Sequence, residues 1–138
     1  MSITRTSHGP TVVLVHGAFA ESSRWDGVVD LLLEDDFPVQ TQRPIPGAAL
    51  AEPSGTPARR TIPSWFPVGT GDRNIPVDAL RSMAERAGSQ RTVELQSGTH
   101  AVAVTEGAAV AGLIGEAERA AASRSDRRVD FERLGVAA

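Results

Sequence analysis

Asp72 and His100 stand in two short glycine-rich stretches, Gly69-Thr70-Gly71-Asp72 and Gly98-Thr99-His100, while a third stretch, Val15-His16-Gly17-Ala18-Phe19, closes an apolar run near the start of the chain. A histidine oriented by a carboxylate can move a proton on and off an attacking oxygen. Backbone amides at the entrance to a helix can hold the negative charge that develops on a carbonyl oxygen. Three of the four parts needed for acyl transfer are therefore visible: an acid to orient, a base, and an oxyanion site. The nucleophile is not. No serine in the chain has glycine two positions before it, so there is no Gly-x-Ser-x-Gly elbow. Ser97, in the same loop as His100, and Ser54, between Pro53 and Gly55, read as turn or capping serines, because neither has the strained strand-to-helix turn that holds an attacking oxygen outward.

Positioning these residues requires strands that end beneath them. Residues 11–16, Thr-Val-Val-Leu-Val-His, form a β-branched run closed by Gly17, the pattern of a buried parallel strand. Trp25, Val28, Val29, Leu32 and Leu33 then recur at helical spacing, with Ser22 or Ser23 as N-cap and an end near Asp36. A second strand begins at Phe37-Pro38-Val39. Ile62 to Val68, with prolines at 63 and 67, predicts a strand leading into the turn that carries Asp72. Pro76 opens a helix whose apolar face is Leu80, Met83, Ala84 and Ala87 and whose stop is Gly88. Arg91 to Leu95 predicts the strand that leads to His100. Thr105 caps a last helix with the stripe Val110, Leu113, Ile114 and Ala117. Alternating strands and helices predict a parallel sheet with covering helices, so Asp72 and His100 emerge together at its carboxyl edge.

Composition narrows the chemistry. The chain has 138 residues, 41% apolar and 22% charged, which fits one soluble globular domain. A net charge of −3 and an aromatic content of 4% without tyrosine argue against nucleic acid as a partner. All basic residues are arginine, which excludes a lysine Schiff base or a Walker-type lysine. Without cysteine there is no disulfide, thiolate nucleophile or zinc-thiolate site, and His8, His16 and His100 lack metal-ligand spacing, so no metal is expected. His8 reads as solvated and His16 as a structural hydrogen-bonding residue. Asp35-Asp36 and Arg59-Arg60 read as solvated surface pairs, and Trp25 and Trp65 as core or lid residues. The polar leader and the short apolar run at 12–15 predict neither a signal peptide nor a membrane span, and make the cytoplasm the expected location.

The motifs at residues 10–39 and 62–118 resemble the α/β-hydrolases, in the small esterase branch that includes plant-type methylesterases and hydroxynitrile lyases. The resemblance implies hydrolysis of a small carboxylic ester or similar substrate, without cofactor. His100 would be the base, Asp72 of Gly69-Thr-Gly-Asp72-Arg-Asn-Ile-Pro76 its orienting acid, and the Ala18 amide an oxyanion donor, with Gly17 and Phe19 beside the substrate. Between the two matching parts lies the Pro/Gly/Ala-rich segment 40–61. The two βα units that should stand there need on the order of 60 residues. The sequence thus predicts a truncated α/β-hydrolase over residues 1–120. Its parts are an oxyanion-loop unit at 10–39, a linker at 40–61 marking an internal deletion, and an acid/His unit at 62–120, with a frayed or disordered tail at 121–138. The expected sheet has about three strands, with the strand at 11–16 paired directly to that at 62–68 or the gap filled by a second copy. Activity is expected to be weak or absent. The alternative is a non-enzymatic remnant that binds a small ligand or self-associates through an exposed sheet edge.

Overall fold

The computed structural model describes residues 11–15, 22–41, 47–53, 55–56 and 61–133. Within them two β-α-β units follow one another. The first is β1 (Val12–Leu14), α1 (Asp26–Glu34) and β2 (Val39–Thr41); the second is β3 (Trp65–Gly69), α2 (Val77–Arg86) and β4 (Arg91–Leu95). A one-turn helix, α3 (Val102–Thr105), and a long one, α4 (Gly107–Arg133), complete the described chain, with single 3-10 turns at Ser22–Trp25 and Gly47–Leu50.

Both units pair their strands in parallel across a helical crossover. The register runs from Val12↔Val39 to Leu14↔Thr41 in the first and from Trp65↔Arg91 to Gly69↔Leu95 in the second. The expected α/β character is present in this form. The expected sheet of about three strands is not: among the described residues there are two separate two-stranded sheets, and β1 does not pair with β3. The cause lies in the free edge of β3. The Gln90 amide donates to the Ser64 carbonyl at 2.7 Å. By alternation, Ser64, Phe66 and Val68 turn their backbone groups toward β4, and Pro63, Trp65 and Pro67 turn theirs away. Two of those three outward positions lack an N–H, so a full ladder cannot form there.

The core lies between α1, α4 and the first sheet. Leu14, Val28, Leu32 and Val110 are buried together, with Phe37, Val39, Val102 and Ile114 packed against them. Each such side chain contributes roughly 1.5–3 kcal/mol by leaving water. Of the stripe expected on α1, Val28 and Leu32 are enclosed but Leu33 is 53% exposed. In the second unit the enclosed residues are Val68 and Ala84, with Leu113 of α4 the remaining buried apolar side chain; Met83 is 41% exposed.

The two crossover helices end in the same way. After α1, Asp36 takes φ 66 while Phe37 N–H donates to Leu32 O at 2.9 Å and Asp36 N–H to Leu33 O at 3.2 Å. After α2, Gly88 takes φ 64 while Ser89 N–H donates to Ala84 O at 3.1 Å and Gly88 N–H to Glu85 O at 2.9 Å. Both are paired-bond helix stops that need a left-handed residue, which glycine fills without strain. The stop at Gly88 was expected; Asp36, read as part of a solvated pair, has this backbone role as well.

Three local expectations change. Ser22 and Ser23 lie in the 3-10 turn and do not cap α1, which is preceded by Trp25 with no side-chain cap. Thr105 does not open α4; it ends α3, and its hydroxyl accepts from the Thr99 amide at 3.2 Å. The run from Ala121 to Arg133, expected to fray because its apolar period lapses, has helical backbone within α4. Its four arginines, two alanines and one glutamate are good helix formers.

Candidate active site

Asp72 and His100 meet. The second β-α-β unit places the turn after β3 beside the turn after β4, and His100 Nδ1 lies 3.0 Å from Asp72 Oδ2. Asp72 is almost enclosed, with 5% of its side chain exposed, while His100 is 53% exposed. A carboxylate on Nδ1 fixes the ring so that Nε2, across the imidazole, is the atom available to solvent or substrate.

The other carboxylate oxygen is also engaged. Asp72 Oδ1 accepts from the amides of Asn74 at 2.7 Å and Ile75 at 3.0 Å. The residue therefore turns the chain toward α2 with one oxygen and holds His100 with the other, so its turn-forming and histidine-orienting roles coincide. Burial by itself raises the Asp72 pKa. The Ile75 amide, the His100 ring and the Asn74 amide together outweigh it and hold the carboxyl below its ordinary value.

What brings the two turns together is a glycine contact that the sequence reading did not single out. A Cβ on Gly98 would stand 2.8 Å from the Gly69 Cα, and a Cβ on Gly69 would overlap the Gly98 carbonyl oxygen. The Gly71 amide donates to Gly98 O at 2.9 Å, the Thr70 amide to Leu95 O at 3.0 Å, and the Thr70 hydroxyl to Gln96 O at 3.1 Å. On the far side of His100, the Ala101 amide donates to the Thr99 hydroxyl at 3.2 Å. The detectable signal was the Gly-Thr pair in each turn, since close backbone approach requires the missing side chains.

Three ion pairs lie on the surface of the unit. Arg81 of α2 grips Glu94 of β4 through Nε at 2.7 Å and NH2 at 2.9 Å, and Asp78 through NH1 at 2.7 Å. The Arg81 hydrogen bond, outweighing burial, holds Glu94 below its usual carboxylate range, and Glu94 and Asp78 in turn raise Arg81. Arg91 of β4 reaches Glu116 of α4 at 2.6 Å.

The remaining expected site residues are not among those described. Gly17, Ala18 and Phe19, with His16, lie outside the described residues, as do His8, Ser54 and Arg59-Arg60. Ser97 is exposed and, among the described residues, makes no hydrogen bond to His100. No three His, Asp or Glu side chains among the described residues come together as a metal site, and no described helix is long and apolar enough to cross a membrane. The geometry supplies a half-exposed imidazole oriented by a carboxylate. Compared with family models, with curated proteins and with solved structures, the chain matches none.

Proposed function

We propose that Asp72 and His100 are the acid and base of a shortened α/β-hydrolase of the small-esterase type, and that the chain hydrolyses small carboxylic esters weakly or not at all for want of a serine nucleophile. The observation that carries this reading is the 3.0 Å contact between His100 Nδ1 and Asp72 Oδ2, at the carboxyl ends of two parallel strands. In the hydrolytic step, His100 Nε2 takes a proton from water as the water oxygen bonds to the ester carbonyl. It returns the proton to the leaving alkoxide as the acyl–oxygen bond breaks, and Asp72 stabilises the imidazolium between the two events. General-base assistance of this kind supplies roughly 10²–10⁴-fold. That is far below what a positioned serine with an oxyanion site achieves. In the resemblance, Ala18 N–H is the oxyanion donor and Gly17 and Phe19 flank the substrate.

The test is turnover of p-nitrophenyl acetate by the purified chain beside His100→Ala and an equal concentration of free imidazole. The expected rate is modest, exceeds imidazole, and disappears in the variant. Equal rates in chain and variant would make the acid and base relics of an inactive chain, and a rate that survives in the variant above free imidazole would remove the proposal. A second reading, self-association without catalysis, is favoured by β1. Val13 and Val15 of that edge are 58% and 61% exposed, and β1 pairs on one side alone among the described residues. Sedimentation showing a concentration-dependent dimer without turnover would support that reading.

A further inference from the structure

A groove of about 560 Å³ opens at the opposite end of β3 from Asp72. Its walls are the start of β1, the start of β3 and the apolar stripe of α4. Trp65 and Pro67 of β3 line it, while Asp72, His100 and the other residues of their two turns do not. Its volume is in the range of small-molecule sites, and its lining is predominantly apolar.

Three observations say what would occupy it. Trp25 and Trp65, the chain's two tryptophans, both line it. Among the described residues, the buried side-chain polar atoms without a hydrogen-bond partner are Trp25 Nε1 and Ser64 Oγ, and both residues belong to this wall. Buried donors are ordinarily satisfied, and small side-chain rotations on binding would present either one to a ligand acceptor. The groove's charged side chains, Glu118 and Arg124, are of opposite sign, which selects for no net charge. An added peptide strand is disfavoured because Pro63 and Pro67 remove the donors that the free edge of β3 would need.

We infer that this groove is a binding site for a neutral, largely apolar small molecule with one hydrogen-bond acceptor, of the class of a medium-chain ketone. The site is independent of the Asp72–His100 pair. The tryptophans make it directly readable, since the chain has no tyrosine. Titration with 2-decanone is expected to change tryptophan emission saturably at one molecule per chain. Ala117→Phe, which fills the groove, is expected to weaken binding at least about tenfold while the circular dichroism stays that of the parent. Ser64→Ala, which removes one donor with little change of shape, is expected to weaken 2-decanone several-fold and decane much less. It serves equally if Ala117→Phe does not fold. A linear, unsaturable response overturns the assignment, as does decanoate binding more tightly than decanone. A dimer by sedimentation whose emission decanone does not alter overturns it too, because the groove is then occupied by a second copy.

Discussion

The two β-α-β units share a plan, a parallel strand pair around a helix with a left-handed stop, yet they are held together by different forces. The first is knit by apolar burial, through Leu14, Val28, Leu32 and Val110. The second encloses little apolar surface and is set by backbone contacts, above all the glycine crossing that seats Asp72 against His100, with the exposed pairs Arg81–Glu94 and Arg91–Glu116 adding little cohesion at its surface. Burial gives the first unit cohesion without fixing the direction of any one group. The hydrogen bonds and close approaches of the second fix direction, here that of the His100 ring, at less gain per residue. Helix α4 serves both, since Val110 packs in the first core while Glu116 holds β4.

The sharpest way to break this contrast is Leu32→Ala, which leaves a cavity in the first core and is expected to cost about 2–5 kcal/mol. Chemical denaturation measures the loss, and NMR of His100 shows whether the second unit melts at the same midpoint. Separate midpoints would make the units independent and remove α4 as their link. Next in size is Gly69→Ala, expected to cost about 1–3 kcal/mol by forcing the two turns apart. It should also break the Nδ1–Oδ2 contact while leaving the first unit's methyl resonances in place. Gly88→Ala puts a side chain on a left-handed residue and should cost about 1–2 kcal/mol. Its signature is fraying of α2 by hydrogen exchange, with the Asp72–His100 contact retained.

A smaller effect is that of pH. Because Asp72 lies below its ordinary value of 3.8 in the folded state, the unfolded chain binds the proton more readily. The stability Asp72 confers is therefore complete above that ordinary value and declines as pH falls through the lower, folded one. Glu94 has the same sign. Asp72→Asn should flatten the acid limb of a stability–pH profile, and an unchanged limb would show that the carboxylate is not held as described. Smallest of all, Glu94→Gln should barely move the thermal midpoint, because the pair it breaks is solvent-exposed.

Much of the second unit was legible in the sequence. Arg91–Leu95 is the strand expected, Pro76 and Gly88 bracket the helix expected, and Asp72 and His100 meet. Those features depend on short-range signals: a β-branched run, a fixed-φ start, a left-handed stop. The split into two sheets was not legible, although Pro63 and Pro67 were plain to see. Their effect depends on which backbone groups face β4, which only the pairing reveals. Thr105 was misplaced for a related reason, since a threonine before an apolar stripe can equally well end one helical turn as begin the next. Gly17 to Phe19, expected to flank the substrate and supply the oxyanion donor, lie outside the described residues.

The divided use of the Asp72 carboxylate has an evolutionary consequence. One oxygen shapes the backbone ahead of α2 through Asn74 and Ile75, so selection for folding alone would retain this aspartate in a lineage that had stopped hydrolysing anything. The ring of His100, half exposed, has Asp72 as its hydrogen-bond partner among the described residues and caps no helix there. On the proposed reading, a lineage that lost the activity would tolerate substitution at position 100 before position 72.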